Sequence, residues 1–312
     1  MLKRISYYNR NAAMRWWPDY LSKHINPGGS KIMVLLSAVF TVLACHPVQT
    51  QAQLTREPAR QPDQPVYNVF RATSNVGIST VRNPSAGSLN TTVMHTFGLI
   101  DGGIERFYGL DDGANTRIGL EYGILDRWSV SLGRMTFNKI VDVGSKVNIL
   151  RQTTSGSVPV ELAAKATVGI NTMPGLGLEF NDRLSYFLSL MVARKFDGFS
   201  FQLSPMITHY NRTVADNPKQ LFGLGVVTSY ELNERFALSA EYLPILGDRN
   251  TGTRDAMAVA MNIDTGGHIF QLFLTSSQWH NEPFMMANNR DRFWNGEIRF
   301  GFNIHRVFGI GR

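Results

Sequence analysis

Trp294-Asn295-Gly296-Glu297-Ile298-Arg299-Phe300-Gly301-Phe302-Asn303-Ile304-His305-Arg306-Val307-Phe308 is the stretch whose reading decides the fold. One parity carries Trp294, Gly296, Ile298, Phe300, Phe302 and Ile304. The other carries Asn295, Glu297, Arg299, Gly301, Asn303 and His305. Alternation of this length means a strand with one apolar and one polar face. A soluble sheet would need a second layer over the apolar face. In a transmembrane β-barrel, lipid covers it. Trp294 and Phe308, one at each end, suit the two aromatic girdles of such a strand.

The same pattern recurs upstream. Strands are expected at about 90–99, 115–124, 127–136, 144–151, 160–171, 184–195, 198–210, 221–231, 235–243, 256–263, 268–276 and 294–305, with boundaries uncertain by two to four residues. Ile118, Leu120 and Tyr122, or Tyr186, Leu188 and Leu190, are typical outward triplets. The connections alternate in length, although 137–143 is short for a loop and 152–159 long for a turn. Tight turns at 125–126, 196–197, 232–234 and 264–267 separate long loops at 100–114, 172–183, 211–220, 244–255 and 277–293. Outer-membrane barrels have short periplasmic turns and longer extracellular loops. The fold expected is therefore all-β: a single antiparallel transmembrane β-barrel of twelve strands, with both termini in the periplasm. Arg134 and Arg194 break the outward parity at strand ends, where a long basic side chain can reach headgroups.

Of 312 residues, 43% are hydrophobic, and the mean hydropathy is only −0.13, which argues against a hydrophobic helix bundle. The one long apolar run, Ile32 to Ala44, is too short for a spanning helix but fits a signal-peptide core. Lys23 and Lys31 precede it and Thr50-Gln51-Ala52 offers a cleavage site, so 1–52 reads as a signal peptide with a long N-terminal extension. Met14 and Met33 are alternative starts. Val42-Leu43-Ala44-Cys45 loosely resembles a lipobox, which makes lipidation of Cys45 the competing reading. Cleavage would remove the only cysteine, and with it thiol chemistry. It would also remove +5 of the +7 net charge, leaving no case for nucleic-acid binding. Residues 53–89 read as a periplasmic N-terminal segment, Pro-rich up to Pro65, in which 66–80 could form a short strand or a plug; 90–312 is the barrel.

Several runs carry a family resemblance: His95-Thr96-Phe97-Gly98, Tyr108-Gly109-Leu110-Asp111, Gly119-Leu120-Glu121-Tyr122-Gly123-Ile124-Leu125-Asp126-Arg127, Leu132-Gly133-Arg134, Thr275-Ser276-Ser277-Gln278 and Phe300-Gly301-Phe302-Asn303-Ile304. In these the chain resembles a family of bacterial outer-membrane β-barrels catalogued only as a domain of unknown function. Thr96 stands where that family usually carries Arg. The resemblance implies a barrel in the outer membrane of a gram-negative bacterium. It implies no activity and no functional residues.

The inward parity holds Arg117, Lys146, Lys165, Arg235 and Arg299 against Glu121, Glu161, Glu231, Glu241 and Glu297. Such a set is either a ladder of ion pairs filling the lumen or the lining of a weakly selective pore. Twelve strands fall between the roughly eight that side chains can fill and the roughly sixteen of open porins, so the count does not decide. His95 and His305 sit on the strands that close the barrel, as a hydrogen-bonded seam or a metal site. Ser276, Ser277, His280 and Glu282 lie close in sequence, but no Gly-x-Ser-x-Gly run is present. No catalytic residue, metal or cofactor is expected. Trp279, Phe284, Met285 and Met286 give loop 277–293 an apolar patch, either a binding surface or a loop folded inward. The function expected first is a narrow passive channel for small polar solutes. The alternative is a closed barrel that binds or scaffolds through loops 100–114 and 277–293 or the N-terminal segment. Expected partners are outer-membrane lipid, lipopolysaccharide and the barrel-assembly machinery.

Overall fold

The computed structural model describes residues 63–214 and 216–310. The signal-peptide reading of 1–52 lies outside them. Thirteen strands form one antiparallel sheet: β1 Ser88–Leu99, β2 Asn115–Leu125, β3 Trp128–Met135, β4 Ile140–Leu150, β5 Glu161–Asn171, β6 Leu184–Phe196, β7 Phe199–Tyr210, β8 Gln220–Glu231, β9 Phe236–Leu243, β10 Ile245–Leu246, β11 Ala256–Asp264, β12 His268–Thr275 and β13 Arg299–Gly309. β9 and β10 occupy one position, both pairing with β8 across the break at Pro244. The wall therefore has twelve positions. It closes where β1 pairs with β13, from Ser88↔Gly309 to Thr96↔Gly301. Closure leaves no unpaired edge, as a hydrocarbon surround requires.

Side chains alternate as the sequence reading requires. Ile118, Leu120 and Tyr122 are exposed on the outer wall, as are Tyr186, Leu188 and Leu190. Inward positions are partly polar, with Ser129, Ser189, Gln202, Ser204, Ser229 and Asn303 all buried, and partly apolar, with Phe187, Met191 and Met206 buried among them. At one end the connections are short, such as Asp126–Arg127 and Asp197–Gly198, except for 151–160; the other end carries the longer loops, except for the short connection 136–139. These are called the turn end and the loop end below.

Two boundaries differ from expectation. β13 begins at Arg299, five residues later than expected, and runs on to Gly309. Phe293–Asn295 is instead a 3-10 turn that leaves through Gly296 at φ 77°, a conformation glycine adopts without steric cost. Trp294 is accordingly an exposed loop residue rather than a strand end. β4 starts at Ile140 rather than 144, because the turn before it is tightened by Asn138 and Lys139 at φ 52° and 46°.

Candidate functional site

The barrel interior is filled by the chain's own N-terminal segment. It enters at the turn end, where Asp63 accepts a hydrogen bond from Ser155 N (3.1 Å) and another from the Ser157 hydroxyl. Those two serines hold the Asp63 carboxyl down at about 2. Val66 N donates to Gln152 O (2.7 Å), and Pro65 bridges Thr153. The segment then rises into the lumen and reverses. Asn75 N bonds Ile78 O at 2.8 Å, Thr80 N bonds Thr73 O at 2.9 Å, and Ser74 pairs with Ser79. The result is a hairpin over 73–80 with its tip at Val76-Gly77.

Backbone groups buried inside a barrel need partners, and the wall supplies them. Glu241 on β9 accepts the N–H groups of Val76 (3.0 Å), Gly77 (2.9 Å) and Ile78 (3.2 Å), and the Asn75 amide (3.2 Å). Gln202 on β7 accepts Val81 N (3.0 Å) and donates to Ser79 O (2.8 Å). Asn148 on β4 donates to Val81 O (2.8 Å), and Asn303 on β13 to Val76 O (2.9 Å). The segment returns to the turn end, where Ala86 N donates to Asp126 Oδ1 and Gly87 N to Gly123 O before β1 begins. The expected periplasmic segment 53–89 is thus corrected over residues 66–82, which lie within the barrel.

The loop end is closed from above. Glu282–Asn288 form a short helix, α1, that turns inward; Phe284, Met285 and Met286 are buried in a cluster with Phe70, Ile78, Phe187, Met206 and Leu243. The exposed apolar patch expected of Trp279, Phe284, Met285 and Met286 is therefore absent, and the loop folds inward. The hairpin tip meets this cap closely, since a methyl added at Gly77 would lie 2.6 Å from Met285 Sδ.

The lumen charges fall into three groups. Lys146 pairs with Glu121 at 3.1 Å and also donates to Thr80 O and Arg82 O of the segment. Arg117 pairs with Asp142 (2.5 Å), Lys165 with Glu282 (3.1 Å), Lys195 with Glu231 (2.9 Å), and Arg299 with Asp291. Glu161 takes the Asn148 amide, and Glu241 the hairpin; neither has an ion-pair partner among the described residues. Two expected lumen charges are corrected. Arg235 is exposed in the turn between β8 and β9. Glu297 lies in the loop before β13, accepting Arg292 N. Among the hairpin, the wall and α1 lies a polar cavity of about 70 Å³, lined in part by Ser79, Arg117, Asp142, Lys146, Lys165 and Glu282. A few waters fit in that volume.

The remaining candidates do not assemble. His305 faces inward onto Thr92 and Gln271. His95 faces the other side of the wall, stacked on Phe302 with centroids 5.2 Å apart, so the two share no site. Ser277 Oγ bonds the backbone of Trp279, and His280 Nε2 the carbonyl of Asn115 (2.9 Å), so nucleophile and base are not joined. Burial pushes the His280 imidazole down to about 4. Among the described residues no three His, Cys, Asp or Glu side chains cluster as a metal site. Among them, too, no helix is long and apolar enough to cross a membrane.

No curated protein matches the chain. Solved structures similar to it include the NanC porin at 11% identity, covering 72% of this chain and 100% of that one, with a TM-score of 0.47. Another is the COG4313 outer membrane channel from Pseudomonas putida F1, at 10% identity, 72% and 96% coverage and a TM-score of 0.47. LpxR from Salmonella typhimurium follows at 13% identity, 71% and 99% coverage and a TM-score of 0.34. At such values these likenesses bear on no individual residue. The family described as "Membrane bound beta barrel domain (DUF5777)" matches residues 70–308, from inside the lumen segment to the last strand, and the chain belongs to that family.

Proposed function

We propose that this protein is an outer-membrane barrel held shut by its own N-terminal segment, acting by binding or scaffolding rather than as a standing pore. The observation that carries this reading is Glu241. A carboxylate in the wall takes three consecutive backbone N–H groups of the hairpin tip, a fit made for peptide and not for passing solute. The turn end faces the periplasm and the loop end the exterior. The N-terminal segment where it enters at Asp63 is thereby offered to periplasmic partners, and the loops to extracellular ones. Outer-membrane lipid and lipopolysaccharide surround the apolar wall, and the barrel-assembly machinery inserts it. No catalytic role is assigned.

A second reading keeps the narrow passive channel for small polar solutes. It is favoured by Arg117, Glu121, Lys146 and Lys165, which belong to the wall and would line a polar lumen if the hairpin withdrew. Conductance of the purified protein in a planar bilayer separates the two. The closed reading expects a silent wild type and discrete steps once residues 63–87 are deleted. Steady wild-type steps with selectivity altered by Lys165→Ala would overturn it in favour of the channel.

A further inference from the structure

Across β3 to β6 the outer wall meets the loop end in two rows of paired residues. Leu132, Val143, Val168 and Tyr186 form one row, and Arg134, Val141, Ile170 and Leu184 the next. All four side chains of the first row are exposed and apolar or aromatic, with Tyr186 suited to a membrane interface. Arg134 in the second row is exposed too. The lipid-facing surface thus gives way to positive charge within one row.

Three cations gather there around Thr172, an exposed residue that follows β5. Arg134 Nη1 donates to the Thr172 hydroxyl at 3.3 Å. The Lys139 carbonyl accepts Thr172 N at 3.2 Å and its hydroxyl at 2.5 Å. Arg183 Nη1 donates to the carbonyls on either side, Asn171 O at 3.0 Å and Met173 O at 2.9 Å. Among the described residues none of the three is paired with a carboxylate, whereas Arg106, Arg212 and Arg249 at the same end each hold an aspartate. The loop between β5 and β6 has two acidic groups. Asp182 is taken by Arg212, which leaves Glu179 against the three cations. Lys139 also stands at φ 46°, where glycine would sit without strain. The same loop exposes Leu176 at 41% and Phe180 at 68%. Unpaired cations beside exposed apolar side chains, directly above an apolar wall, match a lipid headgroup with its chains below.

We propose that this rim binds one lipopolysaccharide molecule of the outer leaflet through a phosphate of its lipid anchor. Arg134 and Lys139 contact the phosphate, Arg134 with the guanidinium donors not given to Thr172. Arg183, largely spent on carbonyls, adds charge rather than contact. The acyl chains lie along Leu132, Val143 and Val168, and Leu176 and Phe180 flank the headgroup. The site rests on the loop end facing the exterior, as in the reading above, and not on whether the lumen is shut.

Native mass spectrometry of the purified full-length protein in detergent tests this, with lipid A and phosphate-free lipid A as the probes. Retention of one lipid A per barrel is expected, at least about ten-fold tighter than the phosphate-free form, since each surface cation is worth about a five-fold gain on an anionic lipid. Arg134→Gln and Lys139→Gln should each weaken lipid A about five-fold. Arg194→Gln, which removes an outward cation at the turn end, should leave it unchanged. Equal retention of the phosphate-free form would overturn the proposal. So would lipid A affinity unmoved by Lys139→Gln, which keeps every bond to Thr172 and decides the matter if Arg134→Gln fails to fold. A loss in Arg194→Gln as large as in Arg134→Gln would also overturn it, by making the attraction one of diffuse charge. Orientation is read separately in intact cells. Ile104→Cys, 72% exposed in the loop between β1 and β2, should react with a membrane-impermeant maleimide. No labelling, even with lipid A retained, would place the loop end in the periplasm and overturn lipopolysaccharide as the occupant, whereas conductance alone decides whether the lumen is shut.

Discussion

Lys165 on β5 and Glu282 on α1 meet at 3.1 Å, although 117 residues separate them in the chain. The same carboxylate accepts Ser79 N of the hairpin at 2.9 Å. One buried side chain thus ties together wall, lumen segment and loop cap. Burial alone would raise the Glu282 carboxyl; the Lys165 charge and the Ser79 bonds outweigh it and hold the group below its ordinary range.

Breaking this pair from one side leaves an uncompensated buried charge. Glu282→Gln is expected to cost about 3–5 kcal/mol, lost from the docking of cap and hairpin before the wall itself. Denaturant unfolding followed by gel mobility, with limited proteolysis of loop 276–298, would show a new early transition. The double variant K165M/E282L should recover part of the loss, since an apolar pair of similar size avoids the desolvation cost.

His280 gives the cap a pH dependence. Its folded value of about 4 lies below the ordinary 6.5, so between these the unfolded state binds more protons and stability rises with pH. The contribution is complete above about pH 6.5 and is lost as pH falls toward 4, amounting to about 3 kcal/mol over that window. Glu282, also depressed, adds a loss in the same direction as pH falls. Unfolding midpoints measured from pH 7 to 4 should therefore drop steeply in the wild type and less in His280→Asn. An identical slope in both proteins would remove His280 from the account.

Glu241 is the test of the lumen segment. Glu241→Ala strands three backbone N–H groups that the wall now satisfies, each costing about 1–3 kcal/mol when buried without a partner. The hairpin has no comparable substitute and should leave its seat. Hydrogen exchange of Val76, Gly77 and Ile78 is expected to rise by orders of magnitude while β6 and β7 stay protected. Unchanged protection at the tip would mean that Gln202, Asn148 and Asn303 suffice.

Strand alternation made the wall legible, because lipid on one side and a packed interior on the other impose period two on every strand. The pairing of Lys165 was not legible. Its partner Glu282 lies in a loop, and no periodicity reports which way a loop folds. Asp142 was hidden by a strand boundary: with β4 expected from 144, the carboxylate that neutralises Arg117 fell in a loop. Arg235 and Glu297 lie just outside β9 and β13, where period two no longer reports which way a side chain faces. Gln202 and Asn148 carried no signal, being uncharged and inward like many lumen residues. The hairpin at 73–80 has polar residues around a Val-Gly-Ile tip, a pattern that gains meaning only from the wall that binds it.

The glycines of the Gly119-Leu120-Glu121-Tyr122-Gly123-Ile124 run can be separated by what each makes room for. Arg117 passes over Gly119, so that an added methyl would lie 2.8 Å from Nη1. The end of a flexible side chain can move aside, and Gly119→Ala should cost little. Gly123 faces backbone: a methyl there would press into the carbonyl oxygen of Ser85 and lie 2.6 Å from that of Pro84. That stretch is already pinned, with Gly87 N bonded to Gly123 O at 2.8 Å. Backbone on both sides leaves no easy relaxation, so Gly123→Ala is expected to cost about 1–3 kcal/mol, the usual range for overpacking. The strain should fall where the lumen segment joins β1. Thermal unfolding of the two variants in the same lipid should place Gly123→Ala clearly below Gly119→Ala. The reverse order would mean that Arg117 and its bond to Asp142, rather than the path of the segment, is what this run of sequence protects.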